Sequence, residues 1–394
     1  MHGMIESDFR VEWQPLTELG GIATQWQSLA ARALEPNVFY EPAFALAAAP
    51  VFGAQVGAGL VWSKASPARL LGFFPARIEH RRYGLALPVL VGWTHPYGPL
   101  GTPLIDRDAG AAVPSAWFDH LTSRPDLPRL LLMPYLPVTG PVAQAFDAAL
   151  ARRDDGGSIM LARHQRALLA PSGKGEKYLD NALGGKKRKE LRRQRKRLAE
   201  AGTLESSIAR EPDHMTAALS EFLALEAAGW KGRAGTAARA DDRIRVFMEN
   251  AVTGLAREGK ARIDRLNAGA APIAAIVTLR SGSTAWCWKI SYDEAFGRFS
   301  PGVQLLLEVT QGLLDDRSIA RADSCATADH PMIDHIWRER VGLADRLMRL
   351  GPQRPLAFAA VCALERGRRA TIAGLKSLRD RVRVAPSKKP ASGS

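Results

Sequence analysis

Two hydrophobic periods alternate along the second half of the chain. Met215, Leu219, Phe222, Leu223 and Leu225 recur at helical spacing and predict a helix from Asp213 to Ala228. After the loop 229–235, a second helix is predicted over about Ala240–Glu258. The period then shortens. Ala261–Leu266, Ile273–Leu279 and Thr284–Ser291 read as three strands, rich in β-branched, aliphatic and aromatic residues. Asn267-Ala268-Gly269-Ala270 and Ser281-Gly282-Ser283 supply the turns between them. The helical period returns from Val303 to Leu314, with Val303, Leu306, Leu307, Thr310 and Leu314 on one face. Arg321 to Cys325 reads as a last short strand, and Met332 to Val341 as a final helix.

The first half shows a similar succession. Val11–Leu16 reads as a strand and Ile22–Ala33 as a helix; Leu70–Ile78, Leu87–Gly92 and Leu130–Pro134 read as strands, and Val142–Arg153 as a helix. Ala43–Trp62 is uncharged and long enough to span a membrane. It is mostly Ala and Gly, interrupted by Pro50 and Gln55, so a helix followed by a strand explains it better. The first ten residues carry acids and no apolar core of a signal peptide. A cytoplasmic, soluble protein is expected, with peripheral membrane contact left open.

A length of 394 residues suits two domains, and 46% hydrophobic residues supply a sizeable core. Cys287, Cys325 and Cys362 lie far apart, without metal-ligand spacing, so no metal and no disulfide are expected. Charge changes the picture more. The net +14 is concentrated in two places. Residues 186–197 hold nine bases and one acid, and residues 365–394 nine bases and two acids, so the rest of the chain sums to −1. The first run belongs to an expected helix from about Glu176 to Ala201, with Leu183, Leu191 and Leu198 as a thin docking stripe. It reads either as a solvated basic helix or as a contact for an acidic partner: anionic membrane, RNA, or the phosphates of a cofactor. The tail from Pro386 reads as disordered.

Ser300-Pro301-Gly302 opens the helix after the third strand. Ser300 fits an N-cap and Pro301 a first helical position, and Gly302 would let another molecule approach the backbone closely. Such a helix start suits a phosphate. The order of elements, with Asn37-Val38-Phe39-Tyr40-Glu41-Pro42-Ala43-Phe44, the basic run 186–197, Gly229-Trp230-Lys231-Gly232, Lys289-Ile290-Ser291-Tyr292-Asp293, Ser300-Pro301-Gly302 and Trp337-Arg338-Glu339-Arg340-Val341-Gly342, resembles the GNAT acyltransferase superfamily. It is closest to the bacterial branch with tandem domains that includes FemABX-like and CelD-like proteins. The resemblance covers about residues 10–345. It implies an α/β (α+β) fold of two tandem GNAT-like domains, each a mixed, mostly antiparallel twisted sheet flanked by helices. The expected division is a degenerate domain at 1–165, an N-acyltransferase domain at 166–350 and a basic extension at 351–394. In the usual acetyl-CoA loop of GNAT enzymes, Gln or Arg precedes the glycines; here Phe299 and Gln304 take the outer positions, and Arg298 lies one residue out of register.

The resemblance also assigns candidates. Acetyl-CoA or another acyl-CoA would be held by Arg298, Ser300, Gly302, Val303 and Gln304. Trp230, Lys231, Lys289 and Arg338 would contact substrate. Acyl transfer to an amine needs a proton acceptor, a donor to the carbonyl oxygen and a way to stabilise the leaving thiolate. A backbone N–H near Trp288–Ile290 is the expected donor. Asp323, at the end of the last short strand, is the candidate base, with turn-capping as its alternative. Tyr292 is the candidate acid, with packing as its alternative. The segment His95–Gly101 sits where the phosphate loop lies in the second half, and His95 and Tyr97 read as a structural loop shaping an acceptor cleft. The resulting function is an acyl-CoA-dependent N-acyltransferase with a small-molecule or lipid amine acceptor. A FemABX-like transferase using aminoacyl-tRNA and a non-catalytic assembly factor remain the alternatives.

Overall fold

Twelve strands join into one sheet that runs through both halves, in the order β1-β2-β3-β4-β6-β13-β7-β12-β11-β10-β9-β8, with β5 paired to β3 off this path. This is the architecture of the computed structural model, which describes residues 8–82, 85–154, 156–170, 177–200, 202–351 and 355–384. The first half contributes β1 (Phe9–Pro15), α1 (Ala23–Ala31), α2 (Pro42–Phe52), β2 (Val56–Ser63), β3 (Leu70–Glu79), β4 (Val89–Gly92), β5 (Leu104–Ile105), α3 (Ala112–Ser123), β6 (Leu130–Pro137), α4 (Pro141–Ala151) and β7 (Gly157–Leu169). The second contributes α5 (Tyr178–Ala182), α6 (Gly185–Ala199), β8 (Leu204–Ala209), α7 (Pro212–Ala228), α8 (Trp230–Arg233), α9 (Asp242–Arg257), β9 (Ala261–Ala268), β10 (Ala271–Ser281), β11 (Thr284–Tyr292), α10 (Pro301–Asp315), β12 (Arg321–Asp323), β13 (Glu339–Arg349) and α11 (Pro355–Val384).

The two halves repeat one plan. In each, four strands form an antiparallel meander and the fourth pairs in parallel with a fifth: β4 with β6, and β11 with β12. The next strand of each half then crosses to the other. β7 follows β6 in sequence yet pairs with β12, and β13 follows β12 yet pairs with β6. The two exchanged strands lie side by side, antiparallel from Glu339↔Leu168 to Arg349↔Gly157. The expected boundary at 165/166 falls inside β7.

The halves also share a core. Phe39, Phe44, Phe73 and Trp93 from the first half pack in one cluster with Phe222, Phe247, Trp286 and Trp288 from the second. Asn37, fully buried, accepts the Phe39 N–H and donates to the carbonyls of Leu100 and Thr102. Glu41 accepts from Lys260 Nζ (2.9 Å) and from the Ser281 hydroxyl, which bolts the start of α2 to the second half. The sequence motif around residue 40 is therefore a joint between halves.

Three expectations are corrected here. The final helix over 332–341 is a short turn at Ile333–His335 followed by β13; alternation along 339–349 fills the gap between β6 and β7, and pairing on both sides outweighs local helix propensity. The single basic helix over 176–201 is two, broken at Leu183–Gly184, where Gly184 and Gly185 carry no helix-favouring side chain. Ser300 occupies the N-cap position of α10 but in a left-handed conformation (φ 53°, ψ 52°), and its side chain makes no capping hydrogen bond. The tail from Pro386 lies outside the described residues. No helix among the described residues is long and apolar enough to cross a membrane.

Candidate functional site

β11 is the strand that aims chemistry at the cleft. Its fully apolar run, Ala285 to Trp288, is buried between helices on both faces. Opposite it, Val277 pairs with Lys289 and Thr278 with Cys287, leaving Trp288 as an extra residue. Such a bulge re-aims the side chains beyond it. Trp286 and Trp288 both enter the core shared with the first half, and Lys289 joins them on that side. Beyond Trp286↔Asp323 the parallel pairing of β11 and β12 stops, so the strands part. Two residues without glycine's freedom take left-handed backbones near this opening: Ser300, and Cys325 (φ 52°) just past β12.

The first half supplies the facing wall. Tyr97 lies under Lys289, with the ammonium 4.1 Å from its ring centroid, and the Tyr97 carbonyl accepts the Trp288 indole N–H at 2.7 Å. His95 stacks on Phe52 at 4.3 Å, and Phe247 packs edge-on to Phe52, Tyr97 and Trp288. The Lys289 ammonium makes no hydrogen bond or ion pair among the described residues. Burial lowers its pKa to about 8, with the charge of Lys231 adding to the effect and Glu226 and Cys325 opposing it. Burial and the nearby Lys289 charge together pull His95 down to about 3, so its imidazole is neutral at physiological pH. Burial pushes the Tyr97 hydroxyl up to about 12, helped by Glu226 and Asp241.

Trp230, Lys231 and Tyr292 gather on the same end of β11. They line a small cleft of about 40 Å³ with Glu226, Ser291 and Glu294. Lys231 is tied to buried Glu226 at 2.5 Å, and Glu226 also accepts the Ala238 N–H at 2.8 Å. Trp230 is 60% exposed, its backbone N–H held by Glu294. At the expected donor end, the space beside Gly302 is taken by protein: a Cβ there would lie 3.2 Å from the Tyr292 ring and 3.3 Å from the Met332 methyl. The glycine lets the Tyr292 ring approach on its Cα side. Gln304 is buried and donates to the Leu191 carbonyl at 2.8 Å, so the first turn of α10 leans on α6. Val303 is half-buried beside them, and Arg298 is exposed and stacked on Phe299. Arg338 stands apart at the start of β13, its N–H held by Tyr178.

Asp323 is 6% exposed and fully engaged. One oxygen takes Arg166 Nη2 at 2.5 Å and the other takes the Cys325 N–H at 2.8 Å. Arg166 reaches it from the exchanged strand β7. This geometry favours the turn-capping role over the base. Around the same end, α6 is held by Leu191 and Leu198 and turns Lys186, Lys187, Lys189, Arg192, Lys196 and Arg197 to solvent, none with an ion-pair partner among the described residues. Sequence reasoning missed Tyr97 and Glu226 as neighbours of Lys289. The one signal for Tyr97 is its place after the fourth strand of the first half, matching that of the loop after β11.

Residues 185–330 match the family model described as acetyltransferase (GNAT) domain. No curated protein sequence matches the chain significantly. Among solved structures, the C-terminal domain of a protein assigned as a lysylphosphatidylglycerol synthetase from Agrobacterium fabrum is similar in fold, with a TM-score of 0.54 and 11% identity over 87% of this chain and 94% of that one. FemX is similar with a TM-score of 0.54 and 8% identity over 83% of this chain and 95% of its own. A conserved protein of unknown function from Bacteroides thetaiotaomicron is similar with a TM-score of 0.51 and 9% identity over 86% and 99%. At these identities the likeness is one of fold, and it extends over both halves.

Proposed function

We propose, from the match of residues 185–330 to the acetyltransferase (GNAT) domain model, that this chain is an N-acyltransferase taking its acyl group from acyl-CoA, with Lys289 as the central catalytic residue. One observation carries the assignment: Lys289 is a half-buried cation over the Tyr97 ring with no ion pair among the described residues, set by a bulge at the mouth of the opening between β11 and β12. Such a charge is costly to maintain unless something negative meets it. In acyl transfer the amine nitrogen attacks the thioester carbon, the carbon–sulfur bond breaks, and the proton lost by the amine ends on the thiolate. The carbonyl oxygen gains charge in between. Lys289 supplies a fixed cation for that oxygen in a site the aromatic wall keeps dry. Tyr292, whose hydroxyl has no partner among the described residues, would return the proton to the thiolate. Asp323 and Arg166 would hold the parted strands. Arg298, the first-turn amides of α10 and the bases of α6 fit the phosphates of the donor.

A purified-protein assay with acetyl-CoA and an amine panel tests this. Wild type should release free thiol with an amine present, and the rate should fall as pH rises through about 8, where Lys289 loses its proton. Lys289→Arg, which stays charged, should move that fall to higher pH. A rate that instead climbs through pH 8 would make Lys289 the base. A second donor has its own support. The six solvent-facing cations on α6 exceed what CoA needs and suit a longer polyanion, such as the RNA of an aminoacyl-tRNA. Competition between CoA and tRNA for the same protein separates the two donors.

A further inference from the structure

A sizeable cavity lies away from Lys289. It measures about 560 Å³ and opens where β11 begins, between the start of α7 and the ends of α9 and α10. Ala285 lines it, four residues before Lys289, or about 13 Å back along the strand. Five cations surround it, Arg210, Arg257, Lys260, Arg262 and Arg280, against two acids, Glu211 and Asp316. Lys260 is already held by Glu41 and Glu258. Arg210 and Arg257 have no ion-pair partner among the described residues. The floor is apolar, with Leu279, Leu313 and Ile319.

Two polar groups inside it, buried Thr278 and half-buried Arg262, have atoms left without a hydrogen bond among the described residues. Thr278 and Arg262 are cross-strand partners on β10 and β9. Thr278 is 4% exposed and its hydroxyl has no hydrogen-bond partner among the described residues. Arg262 is ion-paired to Asp264, 3.0 Å from its Nε, but Nε and Nη2, the forked edge of the guanidinium, make no aligned hydrogen bond among the described residues. Buried donors left unmade cost stability, and a forked guanidinium edge beside a hydroxyl matches a phosphate. A cavity of this size with an apolar floor and a few converging polar groups is the usual form of a small-molecule site.

We propose that this cavity binds a phosphate monoester with an apolar body. The phosphate sits on Arg262 and Thr278 under Arg210 and Arg257, and the body lies on Leu279, Leu313 and Ile319. Arg210 and Arg257, which have no ion-pair partner among the described residues, favour a dianion over a carboxylate. The site shares β11 with the acyl-transfer opening but none of its residues.

Calorimetry on the full chain tests it, with phenyl phosphate as probe and phenol and inorganic phosphate as controls. Phenyl phosphate should bind more tightly than either control. The Arg210→Gln/Arg257→Gln double variant should weaken binding about tenfold or more, and Thr278→Val, which is close in shape, by several-fold. Lys289→Met should leave binding unchanged. Vesicles of phosphatidylcholine with and without phosphatidic acid form the second arm. Binding to phosphatidic acid that falls in the same variants identifies a lipid phosphate as the source; binding of phenyl phosphate alone identifies a free ester. No binding of either probe by wild type, equal binding by the cavity variants, or loss in Lys289→Met overturns the proposal.

Discussion

The two halves follow one plan and finish their fourth strand differently. β4 is four residues long, fully buried, and runs into Trp93, whose indole N–H is held by the Phe52 carbonyl. No α-helix follows until Ala112. β11 is nine residues long, bulged, and parted from its neighbour, and α10 begins nine residues after it. The first half has closed its opening with Trp93, His95 and Phe52 and turned it into a wall. The second has kept its opening and borrows that wall through Tyr97. Neither half holds the candidate site alone, because Lys289 comes from one and the ring beneath it from the other.

The comparison can be broken most severely by separating the halves. Residues 1–170 alone lack β13, so the edge of β6 is unpaired and β7 has lost both neighbours. We expect no cooperative urea transition by circular dichroism. Appending 339–349 through a flexible linker should restore part of it. A fragment that folds cooperatively without it would show that strand exchange is dispensable.

Lys289→Met comes next. It removes the cation from the aromatic wall and should lower turnover about a hundredfold or more, in the range for losing one oxyanion donor. The same change should raise stability. With its folded pKa below the unfolded value, Lys289 holds its proton at neutral pH at a cost that disappears as pH rises from about 8 toward its ordinary value. The variant should therefore melt higher than wild type at pH 7, by about 1 kcal/mol or more, and the gap should narrow at pH 10. A variant that is both slower and less stable would mark Lys289 as structural.

Asp323→Asn separates anchor from base. It leaves Arg166 buried with a neutral partner and should cost about 2–3 kcal/mol of stability by urea titration. Turnover per folded molecule should change little. A hundredfold loss in folded protein would restore the base role.

The mildest change neutralises the six solvent-facing bases of α6 to Gln. Leu191 and Leu198 keep the helix docked, so the fold should survive. Affinity for CoA or tRNA should drop about tenfold at low salt, and its salt dependence should flatten. Unchanged affinity in both would leave α6 a solvated face.

Much of the second half is legible in the sequence because its period is regular. α7, α9, β9, β10, β11 and α10 lie within a few residues of their expected bounds, since the helices bury one clean face and β10 and β11 are continuous apolar runs between turn residues. Only the first three residues of β13 fall within the expected helix 332–341, and the rest is not read as a strand because Arg340, Arg346 and Arg349 interrupt its apolar alternation. Arg346 is nonetheless 2% exposed, tied to Asp147 and the Ser158 hydroxyl, which no local pattern reveals. The site is legible by position but not by partner. Lys289, Trp230, Lys231 and Tyr292 stand out from their place on or beside the fourth strand. Tyr97 reads only as a loop residue, because its contact with Lys289 joins positions 192 residues apart in sequence. The engagement of Asp323 is hidden, because its ion pair depends on a strand exchanged from the other half.

That exchange also sets an order on synthesis. β6, with the sequence Leu-Leu-Leu-Met-Pro-Tyr-Leu-Pro, leaves the ribosome about two hundred residues before β13 can cover its free edge. An apolar strand with an open edge is the form most prone to wrong pairing. The nascent chain must keep β6 unmated for the time it takes to translate the entire second half. Ribosome-bound chains arrested at 330 should engage trigger-type chaperones and yield to brief proteolysis near β6, and chains arrested far enough beyond 350 to clear the tunnel should do neither.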